Sequence, residues 1–164
     1  VENLMEQGKI NKNTFIVCNG FKRDQYVTNI ARLINNGHKN TIPVIDNFEE
    51  LDLLQEQIDG KFKIGIRIAA EEEPKFEFYT SRLGIGYKDI VPFYRKQIAE
   101  NKKVELKMLH FFINAGIRDT AYYWNELLKC MKVYIALKKE CPSLDSLNIG
   151  GGFPIKNSLA FDYD

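Results

Sequence analysis

The chain has almost no excess of charge of either sign: 23 Lys and Arg stand against 22 Asp and Glu, a formal net charge of +1. Without a basic field nothing steers a nucleic acid or an anionic membrane surface, so neither is expected as a partner. Cysteine is scarce as well. Cys18, Cys130 and Cys141 are odd in number and never in CxxC spacing. That speaks against a disulfide framework and a zinc site, and for a reduced, cytoplasmic protein; no metal ligands are assigned. No apolar run approaches the roughly eighteen residues of a membrane-spanning helix, and no basic stretch leads into an apolar one at the N-terminus. Internal repeats, low-complexity tracts and linkers are lacking too. Neither GxGxxG nor a P-loop signature follows the first strand, which lowers the expectation of a dinucleotide or a nucleoside triphosphate.

What is present is ordinary globular material, 164 residues that are 45% hydrophobic and 27% charged, enough for one core. Apolar residues at 1, 4 and 5 before Gly8 read as the end of a helix. Thr14-Phe15-Ile16-Val17-Cys18, closed by Asn19-Gly20, reads as a strand buried on both faces. Tyr26, Val27, Ile30, Leu33 and Ile34 recur at helical spacing and predict a helix over 24–36. A strand over 41–45 follows, where Pro43 argues against a central position because it removes a ladder donor. Asp46-Asn47 offers caps for a helix over 48–58. A strand over 61–68, a surface loop around Pro74, a helix over about 88–100, a strand over 104–113 and a long helix over about 120–140 complete the pattern, with Asp119 as its cap. Regular β/α alternation with short apolar strands means a parallel sheet, either doubly wound or closed as a barrel. A whole TIM-type (β/α)8 barrel takes about 250 residues, so this length suits an open sheet or a barrel fragment. The chain starts in a helical pattern and ends on Phe161-Asp162-Tyr163-Asp164 without a terminal element. Residues 1–164 therefore read as the central portion of one larger domain.

The sequence centres on Leu147-Asn148-Ile149-Gly150-Gly151-Gly152-Phe153-Pro154, an apolar run that ends in bare backbone. Glycines without Cβ let successive N–H groups encircle an anion, and α/β folds bind ligands at the carboxyl ends of their strands. A phosphate cradle is one reading, and a plain strand-to-loop turn is the other.

Four segments in register carry a resemblance: Cys18-Asn19-Gly20-Phe21-Lys22, Ile64-Gly65-Ile66-Arg67-Ile68, Leu109-His110-Phe111 and Asn148-Ile149-Gly150-Gly151-Gly152. Together they resemble the pyridoxal-phosphate barrel of biosynthetic arginine decarboxylases, within the alanine-racemase-like decarboxylases. The resemblance implies that arginine is decarboxylated to agmatine for polyamine synthesis, with pyridoxal phosphate as the electron sink. It also implies that Gly150, Gly151 and Gly152 hold the cofactor phosphate, that Arg67 lies under the cofactor and fixes acidic partners, and that Asn19 stands near the site. A homo-oligomer is expected as well, since the apolar edges of a barrel piece are mended by pairing.

Where the family reads Leu-His-Phe-His-Ile-Gly-Ser, this chain reads Leu109-His110-Phe111-Phe112-Ile113-Asn114-Ala115. Phe112 takes the place of the histidine that stacks on the pyridine ring, with a face to offer but no proton. Ala115 removes a donor to the phosphate, and the family's Ser-Lys-Phe-Gly appears as Ser81-Arg82-Leu83-Gly84. His110 points to the same face as Phe112 one pleat lower and reads as a satisfied core histidine. Cys18 reads as core. Lys22 reads as a solvated charge at a helix entry, so no Schiff-base lysine is assigned. Two rivals stand beside the decarboxylase: a catalytically impaired homologue of the same fold, and a flavodoxin-like binding domain with an open sheet.

Overall fold

Short β-branched and aromatic runs become strands and the amphipathic stretches between them become helices. The computed structural model describes residues 1–69, 83–113 and 120–151. The strands are β1 (Ile16–Cys18), β2 (Thr41–Ile45), β3 (Phe62–Ile68), β4 (Val104–Phe111) and β5 (Ser146–Asn148). The helices are α1 (Glu2–Glu6), α2 (Asp24–Asn35), α3 (Glu49–Gln57), α4 (Ile90–Phe93) and α5 (Thr120–Lys138), with α4 continuing into a π-helical turn over Tyr94–Ile98. Asn47 caps α3, its Oδ1 accepting the Glu50 N–H at 3.0 Å. The expected cap Asp119 and the loop around Pro74 lie outside the described residues.

All four strand pairings are parallel and the order is β1-β2-β3-β4-β5. A doubly wound sheet reverses its strand order at a switch point; a strictly sequential order keeps the helices on one face and curls. The open flavodoxin-like alternative is thereby set aside. The five strands form half of a barrel.

The main core lies between the sheet and the helices, with Val27, Ile30 and Ile34 of α2 and Leu51 and Leu54 of α3 packed on Ile45, Ile64, Ile66 and Leu109. The opposite, inner face carries a small apolar layer of Ile42, Val44 and Met108. Gly65 belongs to that layer; a Cβ there would meet Val44 Cγ2 at 3.0 Å. Strict alternation does not hold along β4. Ile64 pairs with Leu106 but Gly65 pairs with Met108, so Lys107 is an extra residue. This bulge lets Leu106 and Leu109 both face the helices and turns Met108 and His110 inward.

Two expectations are corrected here. β1 is not buried on both faces: Phe15 is 63% exposed and Val17 38%, because β1 is paired only with β2 and its inner face is uncovered among the described residues. Pro43 does not push β2 to an edge. β2 lies between β1 and β3 with every residue buried, and the sheet tolerates one missing donor there.

Replacing Ile66 by Ala, deep in the helix-facing core, should therefore lower stability by about 2–5 kcal/mol. Val17→Ala on the uncovered face should cost under about 1 kcal/mol. Urea unfolding of the two variants checks this; equal losses would contradict the assignment of faces.

Candidate functional site

The inner face changes character one layer above Val44, Gly65 and Met108. Arg67 pairs in register with His110, and His110 with Asn148. Ile45 pairs with Ile66, so Asp46, one residue further on, stands beside Arg67. Four polar side chains thus form a row across the carboxyl ends of β2 to β5. Above the row lie the exits of the strands. They enclose a cleft of about 530 Å³ with Arg67, His110 and Asn148 at its floor and Asn19, Gly20, Phe112 and the Gly150-Gly151 turn at its rim. A second cleft of about 500 Å³, lined by Lys39, Lys61 and Glu105 among others, opens at the amino ends of the strands. That is the end at which such folds keep stability rather than chemistry.

The guanidinium of Arg67 is held between two neighbours. Its Nη1 lies 3.7 Å from Asp46 Oδ1, an ion pair too long for a hydrogen bond, and its Cζ stands 5.5 Å from the centre of the Phe112 ring. Asp46 is buried, and neither of its carboxylate oxygens accepts a hydrogen bond among the described residues. Burial pushes its pKa up, against the opposing pull of Lys22 and Arg67. His110 is 4% exposed, and its pKa is pushed down, first by burial and then by the Arg67 charge. It is a neutral imidazole, buried as expected of a core histidine and hydrogen-bonded with Asn148, while its Nδ1 has no hydrogen-bond partner among the described residues.

Asn148 shapes the glycine turn. Its Oδ1 accepts the Gly150 N–H at 2.9 Å, and Gly150 adopts φ +75°. A Cβ on Gly150 would lie 2.8 Å from the Phe111 carbonyl oxygen, so only glycine fits. Nothing lies within 4 Å of a Cβ placed on Gly151. The expectation of three glycine N–H groups for a phosphate is narrowed accordingly. Gly150 already donates to Asn148, Gly151 stands at the open rim, and Gly152 lies outside the described residues, as do Ser81, Arg82 and Ala115. Asn19 reaches the rim, where its carbonyl accepts from Tyr26 Oη at 3.1 Å. Cys18 is buried and its thiol pKa is raised by that burial, as a core residue requires.

Lys22 is the largest departure from the sequence reading. It is not solvated but 2% exposed, and its Nζ donates to Gly20 O at 2.8 Å and to Val44 O, and lies 3.2 Å from Glu50 Oε2. Burial became affordable because all three ammonium protons meet acceptors. Hydrophobic periodicity carries no signal for such a residue; the partner Glu50 is 28 positions away. Among the described residues no cluster of three or more His, Cys, Asp or Glu side chains could hold a metal ion, and no helix is long and apolar enough to cross a membrane.

A row of polar groups, an aromatic face and a glycine turn thus stand together at the strand ends. Residues 6–161 match the family model described as pyridoxal-dependent decarboxylase, pyridoxal binding domain. The biosynthetic arginine decarboxylase of Rhodopirellula baltica is 27% identical over 160 residues, 93% of this chain and 23% of that protein. The chloroplastic arginine decarboxylase 1 of Arabidopsis thaliana is 28% identical over 164 residues, 95% of this chain and 22% of that protein. The chain thus spans about a quarter of the length of these relatives. Among solved structures, the lysine decarboxylase of Selenomonas ruminantium superposes with a TM-score of 0.74 at 20% identity, over 98% of this chain and 40% of that one. The biosynthetic arginine decarboxylase of Campylobacter jejuni does so with a TM-score of 0.69 at 22% identity, over 96% and 27%.

The two described glycines of the turn should respond differently to a methyl group. Gly150→Ala meets both the left-handed backbone and the Phe111 carbonyl and should cost about 1–3 kcal/mol. Gly151→Ala should be close to neutral. Chemical denaturation of the pair decides; equal costs would overturn the geometry given to the turn.

Proposed function

The chain belongs to the pyridoxal-binding domain family of the pyridoxal-dependent decarboxylases, and from that premise we propose that the whole protein binds pyridoxal phosphate in this cleft and decarboxylates arginine to agmatine. The observation that carries the reading is the conjunction, at one rim, of a bare glycine turn, an aromatic face and a guanidinium beneath it. The residues present fit the group. The Gly151 backbone and its continuation would take the phosphate, Phe112 would offer its ring to the pyridine, and Asn19 would border the cleft from β1. When bound, the cofactor supplies the electron sink that decarboxylation needs.

The chain's own side chains orient and polarise. Arg67, fixed by Asp46, is the cation of the cleft floor and brings positive charge toward an anionic ligand without a proton to lose. Neutral His110 offers no charge at neutral pH, and Phe112 offers no proton at all, so neither serves as an acid there. Lys22 is tied to Glu50 and two carbonyls and cannot serve as the attaching lysine. Arginine as substrate rests on the similarity to arginine decarboxylases.

Titration of the full-length protein with pyridoxal phosphate, followed by carbon dioxide release from arginine and from lysine, tests the proposal. Saturable binding with faster release from arginine is expected. Release from lysine alone would change the substrate, and absence of binding would overturn the reading. Binding without release from any basic amino acid would favour the second reading, a cofactor-binding homologue without turnover, which the Phe112 ring in the stacking place favours. Phe112→Ala should weaken pyridoxal phosphate binding about two- to twelvefold, since an aromatic stacking pair is worth about 0.5–1.5 kcal/mol.

A further inference from the structure

Glu50 is 1% exposed and serves three donors. Its Oε1 accepts the Lys22 backbone N–H at 3.0 Å, its Oε2 accepts the Asp46 backbone N–H at 2.9 Å, and Lys22 Nζ lies 3.2 Å from Oε2. One carboxylate therefore joins the turn after β1 to the end of β2. Lys22 closes the same joint from the other side by donating to Gly20 O at the rim and to Val44 O two residues before Asp46. Asp46 itself makes no side-chain hydrogen bond among the described residues, so its direction is set by its backbone and by the charges around it.

We propose that Lys22 and Glu50 are positioning residues of the cleft, which together hold Asp46 as the anionic partner of Arg67 and so keep the guanidinium on the floor, against Phe112. Its functional meaning rests on the reading of the cleft as a cofactor pocket. The geometry leaves Arg67 one carboxylate within ion-pair distance among the described residues, that of Asp46, whose backbone N–H Glu50 accepts.

The charges facing Asp46 come from three elements: Lys22 from the turn after β1, Glu50 from α3 and Arg67 from β3. Tyr26 of α2 also faces it, with its phenol pKa pushed up to about 12, first by burial. His110 of β4 faces Arg67 and is neutral. Burial pushes Asp46 up, Lys22 is the largest influence pulling it down, Arg67 adds to that pull, and Glu50 pushes it up. The two members of the joint thus act on Asp46 with opposite sign.

That opposition separates positioning from mere support. In the ligand-free, full-length protein with carboxyl-labelled aspartate, the Asp46 resonance is assigned by its loss in Asp46→Asn and followed by NMR against pH. Lys22→Met should raise its midpoint. Glu50→Gln should lower it. A fold that is simply loosened admits water to Asp46 and lowers the midpoint in both variants; a Lys22→Met midpoint that falls or stays would overturn the inference. Where Lys22→Met does not fold, Asp46→Asn decides, because it keeps the backbone N–H to Glu50. Exchange of the Arg67 Nη protons should then speed up severalfold, and unchanged exchange would overturn the role. Failure of pyridoxal phosphate to bind the parent would sink the cofactor reading alone, since both measurements are made without ligand.

Discussion

Glu50 enters from the first turn of α3 into a space closed to water, and its two oxygens are met by donors from two other segments. The turn after β1 and the end of β2 cannot separate while that carboxylate spans them. Lys22 neutralises it from within, and Asp46, its backbone fixed by the same oxygen, is left facing Arg67. A buried ion pair adds little net stability, because both charges surrender their hydration, but removing one member leaves the other uncompensated at a cost of about 3–5 kcal/mol. Such a joint specifies geometry more than it adds stability. What it specifies here is the spacing of two strand ends and, through Asp46, the place of the Arg67 side chain.

Above the apolar layer of Ile42, Val44 and Met108 that spacing becomes a site. The apolar layer lies below on the inner face, and the cleft over the polar row of Asp46, Arg67, His110 and Asn148 stands at the carboxyl ends of the strands. The row divides labour. Asn148 bends the glycine turn, Asp46 anchors the guanidinium, and the guanidinium supports the Phe112 ring. A histidine in the place of Phe112 would bring a titrating group to the rim; this chain keeps only the aromatic face there. Its imidazole lies one layer lower, neutral and enclosed.

Much of this was legible before any coordinates. The helix over Asp24–Asn35 and the run of parallel strands follow from periodicity, because the spacing of apolar residues reports which face an element buries. The family was legible in four short motifs in register, and family membership holds across residues 6–161. Other features were not. The bulge at Lys107 looks in sequence like any alternating residue, since a one-residue register shift is a property of two strands and not of one. The burial of Phe15 and Val17 was overestimated because β-branched composition says what a strand could bury and not whether a neighbour covers it.

The sequence by itself determined the alternation of elements, the glycine turn that ends β5 and the family to which the chain belongs. These depend on local spacing and residue type, which the chain carries within a few positions. Only the tertiary structure decided that the strands run in sequential order, that Gly150 has already given its N–H to Asn148, and that Lys22 is interior. The last of these depends on distance in space. A lysine is a surface residue unless acceptors are brought to it, and those of Lys22 arrive from Gly20, Val44 and Glu50, a set that no local pattern contains.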